Sequence, residues 1–210
     1  MKTKIFNLII LDESGSMQCI KKEAIDSVNE TVQTICAAEK KNDDQEHFVS
    51  LITFNDTVRV IYDCVPVGKV RELTADVYIP TCNTALYDAM GMSLNALRQK
   101  VTKADRILVT VVTDGYENAS REYSGKAIKA LVDELKSLGW VFAYIGANQD
   151  VEQVAASISI TNAMAFQTTS EGTRNMSRCA NRSRANFFTR LAQQDFDAAA
   201  ENRHFFDDKK

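Results

Sequence analysis

Histidine is scarce in this chain, with two in 210 residues, His47 and His204. Neither can be paired from the sequence with a Ser or Cys and a carboxylate, so both are expected to be structural or solvated. No G-x-x-x-x-G-K-[ST] run is present to cradle nucleotide phosphates. No apolar run approaches the roughly 20 residues needed to span a bilayer. Met1-Lys2-Thr3-Lys4 leads into a short apolar stretch that a polar loop interrupts before any cleavage-like site, which predicts no secretory leader. The five cysteines (Cys19, Cys36, Cys64, Cys82 and Cys179) are odd in number and share no metal-type spacing. Reduced thiols in a cytoplasm are the expectation, and Asn-x-Ser/Thr triplets such as Asn118-Ala119-Ser120 then carry no meaning as glycosylation sites. The two prolines, Pro66 and Pro80, bound the less regular stretch 63–83. Internal repeats and low-complexity segments are lacking as well.

What is there describes a globular chain. Hydrophobic residues make up 45% and charged residues 25%, the balance of a protein with a full core. The length fits one α/β domain, or one domain plus an appendage. A formal net charge of −3 gives no general reason to expect nucleic-acid binding, and nucleic acid is not among the expected partners.

Apolar runs alternate with amphipathic ones. Ile5 to Leu11 and Ile107 to Val112 are greasy on both faces and read as central strands of a parallel sheet. From Cys19 to about Lys40, Ile20, Ala24, Ile25, Val28, Val32 and Ile35 form one apolar helical face. The polar run Glu39 to Glu46 then reads as a solvated loop. Phe48–Phe54 and Val58–Tyr62, linked through Asn55-Asp56, read as an antiparallel hairpin. Further helices are expected over about 86–97, 123–137 and 151–157, and strands over 140–145 and 163–167. Gly139 reads as a helix C-cap. The pattern is a doubly wound, Rossmann-like α/β fold: a mostly parallel central sheet, one antiparallel edge strand and helices on both faces. Residues 1–168 form this domain. Residues 169–210 are expected to be a C-terminal helical extension on or next to it, with a frayed end because Phe205-Phe206 offers little apolar mass. On that extension Arg174, Arg178 and Arg182 recur every four residues as a stripe, with Arg184 and Arg190 nearby.

The chain is organised around Asp12-Glu13-Ser14-Gly15-Ser16-Met17, at the carboxyl end of the first strand, where open α/β sheets build ligand sites. D-x-S-x-S offers one carboxylate and two hydroxyls, hard oxygen donors suited to Mg²⁺, Mn²⁺ or Ca²⁺. Gly15 lets the backbone turn sharply enough for both serines to point the same way. Asp and Ser are also ordinary residues before a helix, where they cap its first N–H groups. Two later stretches add donors: Thr84, within Asn83-Thr84-Ala85-Leu86-Tyr87-Asp88, and Asp114, within Val111-Val112-Thr113-Asp114-Gly115. Asp88, beside the threonine, reads as first-turn stabilisation of its helix.

With these residues the sequence resembles the von Willebrand factor A-like family, as a stand-alone member of bacterial or phage type. The family's metal-ion-dependent adhesion site is written D-x-S-x-S, then Thr, then Asp, and Asp12, Ser14, Ser16, Thr84 and Asp114 match in that order. The resemblance covers about residues 4–168. It implies that Ser14 and Ser16 hold a divalent cation, most readily Mg²⁺, with Thr84 direct or through water. Asp12 and Asp114 would act directly or by holding bound waters. It implies a protein-interaction module without catalysis, whose metal takes an Asp or Glu of a protein partner. Stand-alone members accompany ATPase, kinase or phosphatase partners. Two rivals arise from the residues themselves. Asp12 after a buried strand also fits a haloacid-dehalogenase-type phosphatase, but Ser14 stands where that chemistry needs a second acid. Alternatively, Arg174, Arg178 and Arg182 could bind phosphates or nucleic acid in a row, although aromatics for base stacking do not appear until Phe187-Phe188.

Overall fold

The computed structural model describes residues 2–147, 150–193 and 196–206. Six strands form one sheet: β1 (Thr3–Asp12), β2 (Gln45–Phe54), β3 (Val58–Pro66), β4 (Arg106–Thr113), β5 (Val141–Ala147) and β6 (Ala163–Phe166). The order is β3-β2-β1-β4-β5-β6, and every pairing is parallel except β2 with β3 at the edge. β1 lies at the centre, buried from Ile5 to Asp12, as its apolar run on both faces predicts.

Six α-helices cover the sheet: α1 (Lys21–Lys41), α2 (Leu86–Arg98), α3 (Gly125–Ser137), α4 (Val151–Ser157), α5 (Ser170–Leu191) and α6 (Ala198–His204). Alternate residues of β1 serve different cores. Ile5, Ile9 and Leu11 pack with Ile25, Val28 and Ile35 of α1 and Phe187 and Phe188 of α5. Phe6, Leu8 and Ile10 pack with Leu86, Met90 and Leu94 of α2 and Ile128, Val132 and Leu135 of α3. At Gly139 the backbone turns left-handed (φ +87°) as α3 ends, and Trp140 N–H closes back on Leu135 C=O at 3.1 Å.

Two sequence expectations are corrected here. The polar run 39–46 is mostly ordered structure, because α1 continues to Lys41 and β2 already starts at Gln45. Gln45 is buried, and its Nε2 donates to Phe188 C=O at 2.9 Å, so α5 supplies the partner a polar strand residue needs. The chain end is not frayed as far as Phe206: Phe205 and Phe206 are both buried, and the Phe205 ring meets Phe187 at 5.8 Å between centroids. Those phenylalanines need not pack alone, since α5 brings its own aromatic residues. Positions 207–210 lie outside the described residues.

The arginines of α5 divide between two faces. Arg174, Arg178 and Arg182 are exposed. Arg184 is buried and donates to Thr31 Oγ1, Asn181 Oδ1 and Thr110 Oγ1 at 3.2, 2.9 and 3.0 Å. Arg190 pairs with Glu201 at 2.6 Å.

Candidate metal centre

From β1 the chain crosses to β2 on one side, while from β4 it crosses to β5 on the other. Between neighbours that wind in opposite directions the carboxyl ends leave a crevice, where doubly wound sheets place their ligands. Asp12 closes β1 and Asp114 follows β4 directly, so both carboxylates arrive at that crevice.

Asp12 is fully buried. Its Oδ1 accepts the Ser14 N–H at 2.7 Å and its Oδ2 accepts the Thr113 hydroxyl at 2.5 Å. Ser14 and Ser16 hydroxyls stand 3.2 Å apart, and Ser16 Oγ donates to Asp114 Oδ1 at 2.5 Å. Thr84 joins from the segment before α2. A Cβ on Gly115 would lie 3.2 Å from Thr84 Oγ1 and 3.8 Å from Ser16 Oγ, so hydroxyls from two loops border one small cradle that any larger residue at 115 would fill. The five residues named from the sequence therefore come together. Arg174, Arg178 and Arg182 lie on α5 and make none of these contacts.

Burial pushes the Asp12 carboxyl up to about 6, and the Asp114 charge adds to it; hydrogen bonds from Thr113 and Ser14 act the other way. Asp114 is likewise raised, chiefly by burial. A divalent ion would reverse both effects by favouring the charged forms. Among the described residues no group of three or more His, Cys, Asp or Glu is placed to hold a metal. The donor set here is two carboxylates and three hydroxyls, all hard oxygens, and it fits Mg²⁺ or a similar ion better than a soft metal.

Several residues that build the site were not singled out from the sequence. Tyr78 OH donates to Asp12 C=O at 2.6 Å. Buried Glu13 accepts both Arg59 Nη2 (2.9 Å) and Ile79 N–H (2.5 Å), tying the loop after β1 to the segment before Thr84. Gly15 N–H donates to Cys82 C=O at 3.1 Å. Across the crevice, Asn118 Oδ1 accepts Thr84 N–H at 2.9 Å. Glu117 accepts N–H groups of Tyr87, Ala119 and Ser120 at 2.9, 2.9 and 2.7 Å. Asp88 does sit in the first turn of α2, but its oxygens are spent on the N–H groups of Arg121, Glu122 and Tyr123, at 2.8, 2.9 and 2.8 Å. The polar cluster after Asp114 was the one visible hint; apart from the local bonds from Ala119 and Ser120 to Glu117, the pairings span 30 residues or more.

A doubly wound sheet with this oxygen cluster at its switch point is the architecture of a von Willebrand factor type A domain. The sequence matches that domain over residues 8–178, and the chain belongs to the family. The match runs past the expected boundary at 168, into α5. Solved structures of similar fold include the PilB minor pilin of Streptococcus sanguinis, at 11% identity and TM-score 0.63, covering 92% of this chain and 64% of the pilin. Another is proximal thread matrix protein 1 of the mussel byssus with a zinc-occupied MIDAS motif, at 13% identity and TM-score 0.57, covering 88% of this chain and 46% of that one. The SpRpn10 VWA domain is similar at 14% identity and TM-score 0.55, with 81% of this chain and 92% of that one covered. At such identities the likeness is one of fold. This chain spans less than two thirds of the pilin and of the mussel protein. Comparison with curated protein sequences gives no significant match. Among the described residues no helix is long and apolar enough to cross a membrane.

Proposed function

We propose that this chain is a metal-dependent protein-interaction module of the adhesion-site type. Ser14, Ser16, Thr84, Asp12 and Asp114 hold one divalent cation, and Mg²⁺ suits the donors best. When bound, that ion supplies a Lewis-acidic position for an Asp or Glu side chain of a protein partner. The observation that carries this reading is the convergence of three hydroxyls and two buried carboxylates at the switch point, beside a glycine where a Cβ would press on Thr84. The zinc-occupied MIDAS of the mussel protein supports the ligand class and leaves the ion here a matter of donor chemistry. A cytoplasmic setting and an ATPase, kinase or phosphatase partner remain part of the proposal, on the family resemblance.

The phosphatase reading is weaker on one count. The position two residues on is Ser14, which cannot protonate a leaving group. We read the module as non-catalytic. The deciding experiment is calorimetry with Mg²⁺ and Mn²⁺. The wild type is expected to show one site, and the Ser14→Ala, Ser16→Ala double variant to lose it with an unchanged circular dichroism spectrum. Equal affinity in the two proteins would remove the assignment.

A further inference from the structure

Thr84 reaches the cluster by a route unlike those of the other donors. Asp12, Ser14 and Ser16 follow directly from β1, and Asp114 follows β4. Thr84 sits on a connection that begins far away, at the antiparallel edge, and its hydroxyl must be held over Gly115 by local contacts. Three hydrogen bonds grip its peptide groups. Asn118 Oδ1 accepts Thr84 N–H (2.9 Å), while the Asn118 and Ala119 N–H groups donate to Thr84 C=O (3.0 and 3.3 Å). The last two are backbone contacts that any side chain at those positions permits. Only the first depends on the residue at 118. Its geometry also sets the amide orientation, because an N–H donor requires the oxygen and not the nitrogen of Asn118.

We propose that Asn118 is a positioning residue of the metal site, setting ion affinity by clamping Thr84 across the crevice while making no bond to the ion itself. The inference rests on the metal-binding reading above. It follows from how differently stability and geometry depend on this contact. Asn118 is exposed, so water can take the Thr84 N–H when the side chain is removed, and folding loses little. Water does not fix a direction, and the Thr84 hydroxyl then wanders from the cradle. Partners one step removed from a metal ligand change affinity by about 10–100-fold.

The test is Mn²⁺ titration of the purified full chain, followed by the loss of the free-ion electron paramagnetic resonance signal, with a thermal melt in metal-free buffer alongside. Asn118→Ala is expected to bind Mn²⁺ about tenfold more weakly with its melting temperature almost unmoved. Asn118→Asp, which keeps an acceptor at the same reach, should recover most of the affinity. Asn118→Glu carries the same charge one methylene further out and should not. Wild-type affinity in Asn118→Ala overturns the proposal, as does equal recovery by Asp and Glu, which would make the effect one of local charge. A fall in melting temperature that accounts for the lost affinity would make Asn118 merely structural and overturn it too. A wild type that binds no Mn²⁺ removes the metal reading and this inference together, whereas a binding wild type with an unaltered Asn118→Ala removes this inference alone.

Discussion

His47 shows how completely a single side chain can be specified by its neighbours. Gln45 Nε2 donates to Phe188 C=O, which leaves Gln45 Oε1 to accept from His47 Nε2 at 3.1 Å. The imidazole proton therefore sits on Nε2, and Nδ1 faces the Asn7 amide at 3.5 Å as an acceptor. The ring is fully buried and meets Phe188 edge-on at 4.6 Å between centroids. Burial holds its pKa down to about 4 from an ordinary 6.5. The folded pKa lies below the unfolded one, so stability is fully present above pH 6.5 and is lost as pH falls towards 4, where only the unfolded chain takes up the proton. The full shift corresponds to about 3 kcal/mol. Urea melts of wild type and His47→Phe at pH 7 and pH 4.5 should show the wild type losing stability more steeply, by roughly 2 kcal/mol over that interval. Parallel slopes would mean that His47 is not the buried neutral group described. The sequence supported a structural histidine, but the tautomer and the titration follow from residues 40 and 141 positions away.

At the scale of elements, the C-terminal helix repairs a defect in the sheet. β6 pairs with β5 only from Tyr144 onward, so the outer edge of the chain at residues 140–142 has no strand beside it. Two asparagines take that place. Asn202 of α6 accepts Phe142 N–H at 3.0 Å and donates to Trp140 C=O at 2.8 Å. Asn162 Nδ2 donates to Phe142 C=O at 3.0 Å and to Glu201 C=O at 2.8 Å, and its Oδ1 accepts Phe205 N–H at 3.1 Å. Buried backbone groups must find partners, and here side chains supply them. Asn202→Ala leaves Phe142 N–H and Trp140 C=O without Asn202 and is expected to cost about 2–6 kcal/mol, one to three for each group. A chemical melt that shifts by less than about 1 kcal/mol would show that water reaches this edge. α5 is locked down in a similar way, with Thr31 donating to Asn181 at 3.0 Å and Ser177 to Glu30 at 2.5 Å. The helices after residue 169 thus form much of one face of the core, although they look dispensable in the sequence.

For the molecule as a whole, the question is which surface meets a partner. The loops that carry Asp12, Ser14, Ser16 and Asp114 lie at the carboxyl edge of the sheet, while the exposed Arg174, Arg178 and Arg182 lie on the outer face of α5. If a partner carboxylate completes the metal site, binding requires the ion. EDTA and Asp12→Ala should each abolish the complex, since the variant strips the ion's carboxylate support. The triple Arg→Ala variant should remove only a salt-sensitive part, because exposed ion pairs contribute about 0–1 kcal/mol each and are screened. A pull-down of the three proteins from the native host, with and without EDTA, makes the comparison. A partner that survives EDTA and Asp12→Ala but is lost with the arginines would place the interface on α5.

By itself, the sequence determined the order of strands and helices, the antiparallel hairpin and five oxygen-bearing residues that the fold gathers at one crevice. Each leaves a local mark: apolar runs buried on both faces for β1 and β4, a three-residue link for β2 and β3, and a polar loop directly after each of the two central strands. The sequence placed Arg184 merely near the arginine stripe, yet it follows Arg182 by two residues and so points nearly half a turn away on a helix. Which side faces inward was a tertiary matter, decided when α5 settled against α1, with Thr31 of α1 and Thr110 of β4 as acceptors. Only the folded structure decided that Gln45 and His47 are core residues, that Asn162 and Asn202 complete β5, and that Asn118 grips Thr84. The physical reason is common to these cases. Hydrophobic periodicity records how one element meets its surroundings, whereas a polar group's partner is chosen by geometry across the sheet, often 30 to 140 residues away, and no local pattern registers that choice.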